Sequence, residues 1–172
     1  MNIIIETQRL WIREIEANDL NYLLDIYQDS QNLKFIPNTD FEWTKEKLKK
    51  KYDTINKDYI NGFGLYAVQL KKKDRIIGEA GLFNSFHDLK HLEIGYILDH
   101  KIWRKGYGTE ICKSLIDYGF EKLNSDRLTA RMFKQNMASI KLSEKCGMKL
   151  IQQGKTENGE SFCEYEIKHN DE

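Results

Sequence analysis

Residues 92–110 read LEIGYILDHKIWRKGYGTE. The opening LEIGYIL is a strand-length apolar run, and from Tyr107 onward Tyr107, Ile111, Leu115 and Tyr118 recur in helical phase. Gly106 and Gly108 therefore lie at a strand-to-helix junction. Backbone N–H groups there have no intrahelical acceptor, and the helix dipole favours an anion. Glycine permits close approach to phosphate and a positive φ; Arg104 and Lys105 add charge, and Thr109 adds a hydroxyl. The chain has no GxxxxGK[ST] and no GxGxxG in an opening βαβ unit, so neither a Walker loop nor a dinucleotide fold is supported. What remains is a pyrophosphate cradle without a metal-binding hydroxyl after a lysine, which suits coenzyme A better than ATP.

Upstream, GLYAVQL (64–70), IIGEAGLF (76–83) and HLEIGYIL (91–98) are separated by the polar turns KKKDR and NSFHDLK, the pattern of an antiparallel meander. RLWIREI (9–15) alternates as a first strand. ANDLNYLLDIYQDS (17–30) follows as a helix with Leu20, Leu23, Leu24 and Tyr27 in phase and Asn18 or Asp19 as cap. A second helix is expected from 44 to about 59, burying Leu48, Tyr52, Ile55 and Tyr59. Its lysines Lys45, Lys47, Lys49, Lys50 and Lys51 read as a solvated face. Downstream, a helix spans 106–123, RLTARMF (127–133) is a strand, and NMASIKLSEKCG (136–147) is a helix that starts at an Asn and stops at Gly147. MKLIQQ and FCEYEIK close the chain as a hairpin around ENGE. The order β-α-α-β-β-β-α-β-α-β-β is that of a mixed α/β sheet, with parallel neighbours where the long helix crosses over.

The 172 residues suffice for one domain spanning 1–172 with a real core. Lys+Arg and Asp+Glu are both 27, and this balance argues against nonspecific nucleic-acid or anionic-membrane partners. Cys112, Cys146 and Cys163 have no CxxC or metal-ligand spacing, so they read as buried thiols in a reducing compartment, not as disulfides, metal ligands or acyl carriers. The N-terminal isoleucine run is too short for a leader core or a membrane span. A cytoplasmic protein is expected.

Three segments in order carry a family resemblance. LEIGYILDHKIWRKGYGTE resembles the central motif of the GNAT acyltransferases, in the branch of the Rim-type ribosomal-protein N-terminal acetyltransferases. ETQRLWIRE resembles that branch's TERLxLR start, and NMASIKLSEKCGM its Asn-x-x-Ser helix with the following Glu-Lys-x-Gly. The resemblance implies a central, mostly antiparallel twisted sheet with a splayed fourth and fifth strand pair and about four helices. It implies acetyl-CoA as cosubstrate and no metal. By the same resemblance, the backbone at Ile97 and Leu98 pairs with the pantetheine amides. The N–H groups of Lys105, Gly106, Tyr107, Gly108 and Thr109 hold the pyrophosphate, with Arg104 nearby. Asn136 reaches the pantetheine, and Ser139 sits near the thioester sulfur. Trp103 replaces the Gln/Arg of the general motif, Arg104 stands where the branch has Gly, and Met148 replaces a Phe. The tyrosine that serves many members as general acid corresponds to Ser143 here.

Acetyl transfer to an amine needs a neutral nucleophile, a polarised carbonyl and a stabilised thiolate. A lysine-like amine costs roughly 4–5 kcal/mol to deprotonate at neutral pH, an α-amine only about 1.4. A backbone N–H, most simply that of Ile97, is the expected oxyanion donor. Glu93 and Glu79 are the strand carboxylates available as base, Glu93 through water; either could equally be a solvated or ion-paired strand residue. Without the tyrosine, Ser139 is the candidate for stabilising the thiolate. His87 and His91, and the aromatics Phe41, Trp43 and Tyr66, could touch the acceptor or simply pack. A protein N-terminal α-amine is the acceptor the resemblance favours. A small amine (aminoglycoside or polyamine) and a non-catalytic acyl-CoA-binding module are the alternatives. A polycationic acceptor would ask Glu14, Glu79, Glu93 and Asp88 to converge. Monomer and homodimer both remain open.

Overall fold

The computed structural model describes residues 1–36 and 42–169; Phe41 lies outside them. Its strands are β1 (Ile3–Glu6), β2 (Leu10–Arg13), β3 (Gly64–Leu70), β4 (Arg75–Phe83), β5 (His91–Leu98), β6 (Arg127–Phe133), β7 (Lys149–Lys155) and β8 (Ser161–Lys168). Its α-helices are α1 (Asp19–Gln28), α2 (Ser30–Leu33), α3 (Lys45–Ile55), α4 (Tyr107–Glu121) and α5 (Met137–Lys145). The hydrogen-bonded order is β1-β2-β3-β4-β5-β6-β8-β7, a mixed α/β fold with a mostly antiparallel sheet. Two elements go beyond the sequence reading. β1 pairs Ile5 with Ile12 and Glu6 with Trp11; its run of three isoleucines has no period-2 alternation to announce it. The four-residue α2 starts where the Asp29 side chain accepts from the Gln31 N–H. The splayed pair, expected as the fourth and fifth strands, is therefore β5 and β6.

The chain clusters into two compact units, with β4 and β5 running through both. The first comprises Met1–Gly81 and Tyr96–Tyr107. Leu10 and Ile12 of β2, Leu23 of α1 and Leu48 of α3 are fully buried in it. At the end of β2 the Arg13 guanidinium grips Asp19 through two bonds of 2.7 and 2.8 Å, and its Nε donates to Gln69 of β3 at 2.5 Å. Asp19 also accepts from the Glu16 N–H at 2.7 Å. One buried ion pair thus joins β2, β3 and the start of α1. This corrects the expected cap: Asn18 occupies the N-cap position, but its side chain makes no capping bond.

The second unit comprises Leu82–Gly95 and Gly108–Glu172. β6 pairs with β8 over its whole length, from Arg127 opposite Lys168 to Phe133 opposite Phe162. α4 packs close at Gly119, where an added Cβ would sit 2.9 Å from a Leu128 methyl. α5 ends at Gly147, whose φ of 88° is the left-handed stop predicted from sequence. The parallel ladder of β5 on β6 holds only three pairs: His91 with Arg127, Leu92 with Leu128 and Glu93 with Thr129.

Removing the carboxylate of Asp19 leaves Arg13 charged and buried without its partner. Asp19→Ala should cost about 3–5 kcal/mol of unfolding free energy, measured by urea denaturation; a loss below about 1 kcal/mol would assign the pair to an exposed-type bridge.

Candidate active site

The segment after β5 is fixed at several points. The Asp99 N–H donates 2.9 Å to the Ile77 carbonyl, and the Asp99 side chain accepts from the Lys101 N–H and from Arg75 at 2.6 Å. A 3-10 turn, His100–Ile102, follows. The Trp103 indole then donates 2.9 Å back to the Leu98 carbonyl. Next the chain takes two left-handed steps, Arg104 at φ 61° and Gly106 at φ 80°, and enters α4 at Tyr107. Among the described residues Arg104 is one of four non-glycines with positive φ. The left-handed conformation explains why glycine is favoured at its place in the resembling branch. The Lys105 ammonium does not point along the junction but donates 3.1 Å to the Lys101 carbonyl. Arg9, at the start of β2, reaches this loop: its Nη1 donates 2.9 Å to the Lys105 carbonyl and its guanidinium lies 4.3 Å from the Tyr107 ring centroid. Sequence reasoning missed this brace, because nothing local to Arg9 signals a contact 96 residues away. The junction fits an anion: both left-handed steps precede α4, and the N–H groups of its first turn lie outside the i→i−4 ladder.

On β5, alternation puts Glu93, Gly95 and Ile97 on one face, and an added Cβ at Gly95 would meet the Phe83 ring at 2.8 Å. Glu93 is half-buried, and its side chain carries no hydrogen bond or ion pair among the described residues. The Asp99-to-Ile77 bond sets the β4–β5 register, and an added Cβ at Gly78 would fall 2.2 Å from the Ile97 carbonyl oxygen and 3.0 Å from the Leu98 Cα. Gly78, the residue before Glu79, therefore lies against the Ile97–Leu98 backbone.

Glu79 is 1 % exposed and accepts from three donors. The Tyr27 hydroxyl donates 2.5 Å to its Oε1, the Lys51 ammonium 2.6 Å to the same oxygen, and the Tyr52 hydroxyl to Oε2. The Lys51 ammonium also donates to the Tyr27 oxygen. Burial, followed by the Glu79 charge, pushes both tyrosines far above the ordinary phenol range, so they remain donors. This revises the solvated lysine face: Lys45, Lys47, Lys49 and Lys50 are exposed, while Lys51 turns inward. Trp43 packs edge-on against Tyr27 at 4.7 Å, and Tyr66 is a buried ring stacked on Tyr59. Glu14 is engaged elsewhere, by Asn2 at 2.9 Å, so it does not share the Glu79 donors.

In the second unit Asn136 caps α5: its side-chain oxygen accepts 3.2 Å from the Ser139 N–H, which brings the two predicted residues together. Ser143, at the missing tyrosine's place, is buried, and its carbonyl accepts from the Cys146 and Met148 N–H groups. All three cysteines are free and buried. Cys112 is pushed up by its hydrogen bond with Cys146 and by burial, the state of a core thiol. Thr109 offers its carbonyl to the Cys146 thiol at 3.9 Å. His91 stacks on Phe86 at 3.7 Å and meets the Thr129 hydroxyl at 3.2 Å, a packed strand histidine, while His87 is an exposed turn residue with φ 54°. Asp88 accepts from the Lys90 N–H within the same turn.

Residues 9–149 match the family model described as Acetyltransferase (GNAT) domain. The chain belongs to this family and is an N-acetyltransferase of the GNAT type. It is 32 % identical over 139 residues to the N-acetyltransferase p20 of Bacillus licheniformis, covering 79 % of this chain and 76 % of p20. The fold superposes on RimL, a ribosomal L7/L12 alpha-N-protein acetyltransferase in complex with coenzyme A, with TM-score 0.83 at 15 % identity, covering 99 % of this chain and 100 % of that one. It superposes on the spermidine N-acetyltransferase of Vibrio cholerae with TM-score 0.81 at 17 % identity, covering 96 % and 98 %.

Arg104→Gly removes the left-handed strain of a Cβ-bearing residue and should stabilise the protein by about 0.5–1 kcal/mol, read from its thermal midpoint. Destabilisation would show that the Arg104 side chain anchors the loop.

Proposed function

We propose that this chain transfers acetyl from acetyl-CoA to a protein N-terminal α-amine, by direct attack in a ternary complex. The observation that carries this reading is the state of the two strand carboxylates. Glu79 already accepts from three donors, and Glu93 lies four residues before Ile97, about 13 Å along a strand. A site with so distant an open carboxylate suits an acceptor that loses its proton at small cost, and an α-amine does so more readily than a lysine or polyamine nitrogen. RimL, which shares the fold, acts on an α-amine; the spermidine enzyme shows that the same fold also serves polyamines.

The residues divide the work as follows. The backbone of Ile97 and Leu98 pairs with the pantetheine amides, and the Ile97 N–H supports the developing oxyanion. N–H groups from Lys105, Gly106, Tyr107, Gly108 and Thr109 receive the pyrophosphate, with Arg104 adding charge and Arg9 holding the Lys105 carbonyl turned away. The cap commits the oxygen of Asn136, so its amide N–H2 is the end that serves a pantetheine carbonyl. Ser139 donates to the departing thiolate. Glu93, too far for a direct bond, takes the amine proton along a chain of waters. Acetyl-CoA supplies the activated thioester.

Calorimetric titration should give micromolar binding of acetyl-CoA and none of ATP or NADH. A folded protein that ignores acetyl-CoA refutes the cradle. With a peptide acceptor, Glu93→Gln should move the acidic limb of the pH–rate profile; an unmoved limb removes Glu93 as base. A kcat/KM for spermidine above that for N-terminal peptides would reassign the acceptor.

A further inference from the structure

Lys51 is the one lysine of the α3 run that leaves solvent. Its side chain is 20 % exposed, against 65 % for Lys49 one half-turn away, and its ammonium occupies a closed set of partners. The Glu79 carboxylate lies at 2.6 Å, the Tyr27 hydroxyl accepts from it, and the Tyr27 and Tyr52 ring centroids are 4.5 and 5.3 Å away. Trp43 closes against Tyr27. A buried carboxylate, two phenol oxygens and aromatic faces make up the chemistry that recognises a primary ammonium: charge, N–H donors satisfied in fixed directions, and ring quadrupoles. This set is anchored on Glu79, the residue after Gly78, and Gly78 lies against the Ile97–Leu98 backbone, with neighbouring strands about 5 Å apart. The ammonium recogniser is thus one strand away from the backbone assigned above to the acetyl carbonyl.

We propose that the Glu79–Tyr27–Tyr52 cage is the subsite where the acceptor docks as its ammonium, and that Lys51 is a built-in occupant which an incoming primary ammonium displaces. Glu79 then holds that ammonium as it held Lys51, and the proton leaves towards Glu93 before attack. The proposal rests on the reading of Ile97 given under the proposed function. The tether makes Lys51 a competitor present at all times, so every acceptor binds with an affinity reduced by the fraction of molecules in which Lys51 is withdrawn. The cage selects by N–H count. A quaternary ammonium brings charge but no donors, and would leave Glu79 and the Tyr27 oxygen unsatisfied in a buried place.

The test is Lys51→Ala with n-butylammonium as ligand and tetramethylammonium as control, in the absence of coenzyme A. Butylammonium should saturate the variant at about 1–10 mM, raising its thermal midpoint. It should leave the wild type unchanged in that range, and neither tetramethylammonium nor the Lys51→Ala, Glu79→Gln double variant should respond. Should Lys51→Ala fail to fold, refolding by butylammonium and not by tetramethylammonium is the same readout. In turnover, Lys51→Ala should lower the acceptor KM by about fivefold or more. No butylammonium effect on the variant overturns the proposal. So does binding accompanied by an unchanged or raised KM, since Lys51–Glu79 would then be a structural ion pair. Failure of the acetyltransferase reading shows separately, as wild-type protein that neither binds acetyl-CoA nor turns over any amine, and the subsite assignment then falls with it.

Discussion

Backbone hydrogen bonding is obligatory in a folded sheet, and β5 leaves its parallel partner after only three residue pairs. Up to Glu93 the strand is held by β6; past Glu93 it goes on to Leu98, still set against β4 by the Asp99-to-Ile77 bond. The parallel ladder with β6 thus ends at Glu93, while the contact with β4 continues to the end of the strand. The sequence that produces this state is modest. LEIGYIL is apolar enough to stay in the sheet, and Gly95 lets the Phe83 ring approach where a side chain would stand.

The loop that follows is built on two left-handed residues. Lying within three positions, Arg104 and Gly106 turn the chain directly into α4 at Tyr107. The turn is held from outside, by Trp103 on the Leu98 carbonyl and by Arg9 on that of Lys105. In the Lys105–Gly106 peptide the carbonyl is held by Arg9, so the Gly106 N–H points away from Arg9. Strain at Arg104 is tolerated because these bonds over-determine the loop.

What the sequence made legible was local. β6 coincides with RLTARMF, α5 begins after Asn136 and stops before Gly147, and the glycine junction opens α4, because caps, turn glycines and periodicity are all encoded within a few residues. The misses were of two kinds. β1 and α2 are short elements whose apolar pattern is indistinguishable from a loop until a partner strand or a capping bond is seen. Lys51 and Arg9 are charged residues whose roles are set by partners 28 and 96 positions away. Helical phase did place Tyr52 on the buried face of α3. It could not show that a buried carboxylate on β4 would draw in the lysine one position earlier.

The two strands at the ends of the strand order share a feature. β1 shifts register between Ile3 and Ile5, and β7 shifts between Leu150 and Gln152. β7 exposes Leu150 and Ile151, and lysines stand at both its ends. An apolar outer strand is ordinarily a template on which a second chain can crystallise its own backbone. Here each outer strand carries an extra residue and the apolar one is flanked by charge, two features that interrupt the straight row of donors and acceptors along an edge.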